Sequence, residues 1–161
     1  MHANRLNAFV AGDAGAIGEV LLGPLGEPAL DDANVFRQRA AALVDALAPV
    51  LVWMRDHKGV LLNIDTVRLS FELRSIWKVA TKRVFEVRKL ITDETTDIPV
   101  PEMPEDLISP LKTYLKRTAG LRHEAGWDRQ KTGAPARQHA FAQVYLTHTF
   151  PQLGPGTLAS G

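Results

Sequence analysis

The longest regular feature of the chain is an apolar stripe at helical spacing: Val35, Phe36, Leu43, Val44, Leu47, Val50, Leu51 and Met54. Residues three and four apart share one face of an α-helix, so a stripe of this length must be buried against other elements. Asp31-Asp32-Ala33-Asn34 precedes it, offering capping side chains and carboxylates at the positive end of the helix dipole. Gly59 supplies a left-handed stop. Pro49 lies inside the pattern and predicts a kink or a division into two helices. The rest of the chain has to cover this helix.

The neighbouring segments read largely as further helices. From Phe9 to Gly26, glycines recur at positions 12, 15, 18, 23 and 26 among Ala, Ile, Val and Leu, which predicts a short helix with loose ends. A phosphate-cradling glycine loop would need Lys and then Ser or Thr after its last glycine. Here Gly18 is followed by Glu19 and Val20, and a carboxylate repels phosphate. Asn63 or Asp65 can cap a helix in which Leu69, Leu73, Ile76, Trp77, Ala80, Val84, Val87 and Ile91 keep the same rhythm, with a break near Leu73. Residues 93–106 are acidic and carry Pro99, Pro101 and Pro104, which reads as a linker loop.

Ser109-Pro110 then looks like a cap with proline at the first helical position, although Pro104 offers an earlier start. That helix buries Leu107, Ile108, Leu111, Tyr114 and Leu115 and stops at Gly120. Residues 120–135 read as a polar loop, and a last helix is predicted from about Ala136 to Phe150. The tail from Pro151 to Gly161 lacks periodicity and is expected to be disordered. Val60-Leu61-Leu62 is the best strand candidate in a chain otherwise poor in strand signals. The predicted class is all-α, a compact helical bundle forming one domain over 33–150, with a glycine-rich N-terminal segment over 1–32 and a tail over 151–161.

Composition narrows the chemistry. The 161 residues suffice for one self-supporting core. Without cysteine there are no disulfides, thiolate nucleophiles or thiolate zinc sites. No apolar run approaches the roughly 20 residues of a membrane span, and Met1-His2-Ala3-Asn4-Arg5 lacks the apolar region of a secretory signal. A soluble, cytoplasmic chain is expected.

No metal or catalytic constellation stands out. His57, His123, His139 and His148 are the plausible bases or ligands, but His139 and His148 are nine apart and do not share a helical face. His123-Glu124-Ala125-Gly126 only begins a zinc-helix motif. His57 suits a helix C-terminus. Ser70, Ser75 and Ser109 have no nucleophile elbow. The chain is therefore expected to be no enzyme, and to hold no metal and no cofactor.

The basic residues carry more information, despite a formal net charge of +1. Arg74, Lys78 and Lys82 lie four apart, and Arg83, Arg88 and Lys89 follow; Lys112, Lys116, Arg117, Arg122, Arg129, Lys131 and Arg137 form a second group around Trp127. Positive clusters neutralise phosphates and an exposed aromatic can stack on a base, whereas the plain alternative is a solvated helix face. The contact residues expected from this clustering are Lys78, Lys82, Arg83, Lys116, Arg117, Arg122, Arg129 and Lys131.

Phe36-Arg37-Gln38-Arg39-Ala40 through Trp53-Met54-Arg55-Asp56-His57-Lys58-Gly59-Val60-Leu61-Leu62 resembles type IV secretion coupling proteins of the TraG/TraD class, most closely the Dot/Icm- and IncI-like branch. Ile108-Ser109-Pro110-Leu111-Lys112-Thr113-Tyr114-Leu115, Gln130 and Gln138-His139-Ala140-Phe141-Ala142-Gln143-Val144-Tyr145-Leu146-Thr147 look like the same family. There a helix reading His-Gly-Phe/Tyr-Ala-Gln follows a Pro-Gly-Tyr turn. Here Ala119-Gly120-Leu121 stands in place of that turn and Ala140 in place of the glycine. The likeness covers most of residues 10–150.

The resemblance implies the all-α domain of a hexameric, membrane-anchored ATPase at the cytoplasmic face of the bacterial inner membrane. That domain is where cargo is met: relaxase, secreted effector protein or DNA. With no Walker A or B sequence, ATP and magnesium would bind elsewhere in the parent, and this stretch would be a soluble monomeric recognition domain. The tail does not resemble the strand expected next, which fits a truncation. Three other readings differ in what they require. A stand-alone helical DNA-binding domain needs no protein partner, and a structural domain between ATPase subunits binds no cargo. An enzyme needs a perturbed His or acid in a pocket.

Overall fold

A computed structural model describes residues 8–23, 32–88 and 94–117. The polar loop, the last helix and the tail expected beyond residue 118 lie outside the described residues, and with them His123, His139 and His148. Residues 8–11 form one helical turn. Then come α1 (Ala14–Leu22), α2 (Asp32–Lys58), α3 (Ile64–Ser70) and α4 (Leu73–Trp77), which runs into a π-helical turn over Lys78–Lys82. Two strands follow, β1 (Val84–Arg88) and β2 (Thr95–Pro99), and then α5 (Glu105–Arg117).

The long helix takes the central place. Leu43, Val44, Leu47, Val50, Leu51 and Met54 are all buried, with α1 and α5 packed against α2. Each such side chain contributes about 1.5–3 kcal/mol on leaving water. The helix continues unbroken through Pro49, so the expected division does not occur. Proline forfeits one backbone hydrogen bond there, but its neighbours Leu47, Ala48, Val50 and Leu51 are buried and hold the segment in place. Gly59, at φ 66°, ends the helix as expected, and the Val60 amide reaches back to the Met54 carbonyl at 3.3 Å.

Two of the short helices start on side-chain caps. Asp13 Oδ1 accepts from the Ala16 amide at 2.8 Å to open α1, and Asn63 Oδ1 accepts from the Thr66 amide at 2.9 Å to open α3. Asn63, not Asp65, is the cap. α5 begins at Glu105 rather than Ser109, with the Leu107 amide bonded to the Pro104 carbonyl at 3.0 Å. Glu105 and Asp106 in its first turn and Lys116 and Arg117 in its last complement the helix dipole.

The all-α expectation needs correcting: helix predominates among the described residues, but a two-stranded antiparallel sheet completes the core. Val84 pairs with Pro99 and Arg88 with Thr95. The rhythm that extends a helix to Ile91 stops at Arg83, a non-glycine residue in the left-handed region at φ 55°. Val84 and Val87 satisfy helical spacing, yet they are β-branched and flank Phe85, which suits a pleated strand better. The supposed linker supplies β2, because its prolines do not oppose pairing: Pro99 sits at the strand end and Pro101 and Pro104 beyond it. Val60-Leu61-Leu62 is a connection, not a strand; Val60 and Leu62 turn into the core and Leu61 outwards.

Candidate functional site

α4, the π-helical turn and the start of β1 carry the first cationic group. Lys78 and Lys82 stand at the two ends of the π-helical turn and Arg83 follows it in the left-handed region. The three neighbouring cations meet different partners. Lys78 Nζ lies 3.0 Å from Asp97 Oδ1 on β2 and 3.7 Å from Glu86 Oε1 on β1. Lys82 is exposed and stands over the Trp77 ring, 5.7 Å from its centroid. Arg83 turns to the start of α5, donating to the Met103 carbonyl at 2.5 Å and pairing with Glu105.

The second group is described only in part. Lys116 and Arg117 are exposed at the C-terminal end of α5. Arg122, Arg129 and Lys131 lie outside the described residues. Of the five candidates that are placed, Lys78 and Arg83 are engaged by carboxylates of their own fold. Lys82, Lys116 and Arg117 have no carboxylate within ion-pair distance among the described residues. A shallow groove of about 380 Å³ runs between α2 and α5, over Ala42, Ala46, Pro110 and Tyr114, and reaches Arg117.

Several organising residues carry no chemical motif. Arg55 donates to the carbonyl oxygens of Gly12 at 2.7 Å and Ala8 at 3.4 Å, tying the N-terminal turn to α2. Glu105 receives both Arg83 and Lys112. Glu86 is buried and accepts from Ser75 Oγ at 3.2 Å. In sequence these are ordinary members of a charged helical surface; only the hairpin turns Glu86 inwards.

The polar groups around the end of α2 are arranged as a surface network. The His57 ring stacks on Trp53 at 4.7 Å and 15°, with Nδ1 3.2 Å from the Trp53 carbonyl oxygen. The hydrogen bond from Arg55 holds the Asp56 carboxyl below its ordinary pKa, and the bond from Lys58 does the same for Glu102. Burial pushes the Tyr114 hydroxyl up, against a smaller opposing effect of Arg39. No group of three or more His, Cys, Asp or Glu side chains among the described residues could hold a metal. None of the described helices is long and apolar enough to cross a membrane.

No family model matches the chain. The chain is 26% identical over 152 residues to the type 4 coupling protein DotL of Legionella pneumophila, a match that covers 94% of this chain. The likeness supports a coupling-protein-related family. The chain spans 18% of that relative's length.

Proposed function

We propose that the chain is the cargo-recruiting domain of a type IV secretion coupling protein, bringing relaxase or secreted effector protein, with DNA as a further ligand, to a translocating ATPase. The observation that carries this reading is the match to a type 4 coupling protein along nearly the whole chain. The parent would be a hexamer anchored at the cytoplasmic face of the bacterial inner membrane, with ATP and magnesium bound in its motor. This stretch would be a soluble monomer on its own and would catalyse nothing. The helix-end and proline-helix motifs support placing the parent in the TraG/TraD class, in its Dot/Icm- or IncI-like branch.

Lys82, Lys116 and Arg117 are the first described residues to test for contact, because nothing within the described fold neutralises them; Arg122, Arg129 and Lys131 extend the same cationic set along the sequence. Lys78 and Arg83 contribute by holding the hairpin and α5 in place as well as by any contact. The test is translocation of a reporter-tagged cargo by cells whose coupling protein carries K82E, K116E and R117E together. Translocation is expected to fall about tenfold or more with parent abundance unchanged, since each lost charge contact is worth on the order of 1 kcal/mol. Unchanged translocation would remove these residues from the site.

A second reading, a stand-alone helical DNA-binding domain, is favoured by the same three unneutralised cations. It predicts binding of plain duplex or single-stranded DNA by the isolated chain, weakening steeply and log-linearly with salt. A flat salt titration removes it.

A further inference from the structure

The hairpin has one side with no described neighbour. Val100 N–H donates to the Arg83 carbonyl at 2.8 Å, in register with the Val84–Pro99 pairing. In an antiparallel ladder, bonded and non-bonded pairs alternate. The bonded pairs are therefore Arg83/Val100, Phe85/Ile98 and Val87/Thr96. It follows that Thr95, Asp97 and Pro99 aim their main-chain groups away from β1. Thr95, Thr96 and Asp97 are all exposed, and among the described elements β2 packs chiefly on β1.

We propose that the outer edge of β2 is a docking site for an extended, lysine- or arginine-bearing segment of a partner protein, which would add a third strand. Unpaired among the described residues, this edge offers amides and carbonyls at Thr95 and Asp97 and a carbonyl at Pro99, the set that strand addition uses. The usual protections of an edge are weak here. Pro99 stands only at the strand's end, and the Asp97 carboxylate is turned to Lys78. The charge selects the occupant. Between Lys89 and Lys112 there is no lysine or arginine, and although Asp97, Glu102 and Glu105 are met by Lys78, Lys58 and Arg83 of the same fold, the acid at the strand's start is not. Glu94, exposed just before the strand, has no cation within ion-pair distance among the described residues. A cationic strand fits this edge, and an acidic one is repelled. This inference does not rest on the coupling-protein reading and concerns a different surface from Lys82, Lys116 and Arg117.

The test uses the purified full chain and a fluorescein-labelled, end-capped peptide, Lys-Thr-Lys-Val-Lys-Thr, with the same peptide carrying Glu for Lys as control. Saturable anisotropy with the basic peptide is expected, together with slowed hydrogen exchange at the Thr95 and Asp97 amides. Thr95→Pro removes an outward amide at a strand start, where proline is tolerated, and is expected to weaken binding about tenfold. Thr95→Val keeps the amide and is expected to bind normally. Exchange at the two amides in the unaltered chain decides the matter even where Thr95→Pro perturbs folding. Unprotected amides at saturating peptide, equal binding of the acidic peptide, or slow exchange without peptide in a chain that sediments as a dimer would each overturn the proposal.

Discussion

Arg55, near the end of the central helix, donates through its guanidinium to the carbonyl oxygen of Gly12, 43 residues earlier, at 2.7 Å. The bond satisfies a carbonyl at the end of the 8–11 turn and fixes the N-terminal segment on α2. Arg55→Met keeps most of the side chain's length but removes the donor. It is expected to cost about 1.5–3 kcal/mol, the usual range for a hydrogen bond to a charged group. Urea unfolding of the variant checks this, and faster proteolysis before Asp13 should accompany it.

Arg55 also sets an acid dependence. Asp56 and Glu102 both have folded pKa values below their ordinary ones, through hydrogen bonds from Arg55 and Lys58. Carboxyls shifted this way contribute stability above the unfolded value, near 4, and lose it as pH falls through the lowered folded value. Melting temperature should therefore fall below about pH 4, and Arg55→Met or Lys58→Met should flatten the part due to each pair. Carboxyl titration by NMR should show Asp56 or Glu102 returning to its ordinary value in the matching variant.

Three glycines should respond differently to alanine. A Cβ on Gly12 would lie 2.6 Å from Ala8 Cα and 2.7 Å from Ala8 O, both backbone atoms. Gly12→Ala is expected to cost about 1–3 kcal/mol. Gly59→Ala meets nothing but keeps a left-handed φ of 66°, so a cost of about 1 kcal/mol is expected. Gly18→Ala places its Cβ 3.6 Å from Val44 Cγ1, an ordinary contact, and should be neutral or slightly stabilising. Thermal melts of the three variants test this order.

Lys78 and Lys82 should separate in a stability assay. Lys78→Met leaves the buried Glu86 without its cation and should cost about 3 kcal/mol. Lys82→Met removes only an exposed contact with Trp77 and should cost under about 1 kcal/mol. A binding defect in a Lys78 variant must therefore be read beside its unfolding curve.

The central helix was readable because Leu43 to Met54 repeat at one period and Gly59 ends them. Asn63 was legible as one of two cap candidates, whereas Asp13, set among glycines, was not recognised as the cap of α1. The hairpin was hidden because Val84 and Val87, three apart, continue the helical rhythm and show no strand alternation, and its second strand sits in an acidic, proline-bearing stretch. Pairing between Phe85 and Ile98 is a nonlocal fact that spacing does not carry. The cationic candidates were legible only as a list. Which of them meets a carboxylate depends on the turn at Arg83 and on Glu105 arriving from α5.

The π-helical turn over Lys78–Lys82 is the place where this helix takes up one residue beyond ordinary winding. Five residues wound this way turn through nearly the same angle as four in an α-helix, so a single deletion within the turn is absorbed locally. The same deletion in the α-helical stretch just before it would swing one side by about 100°, and Lys78 could then no longer meet Asp97 while Arg83 meets Glu105.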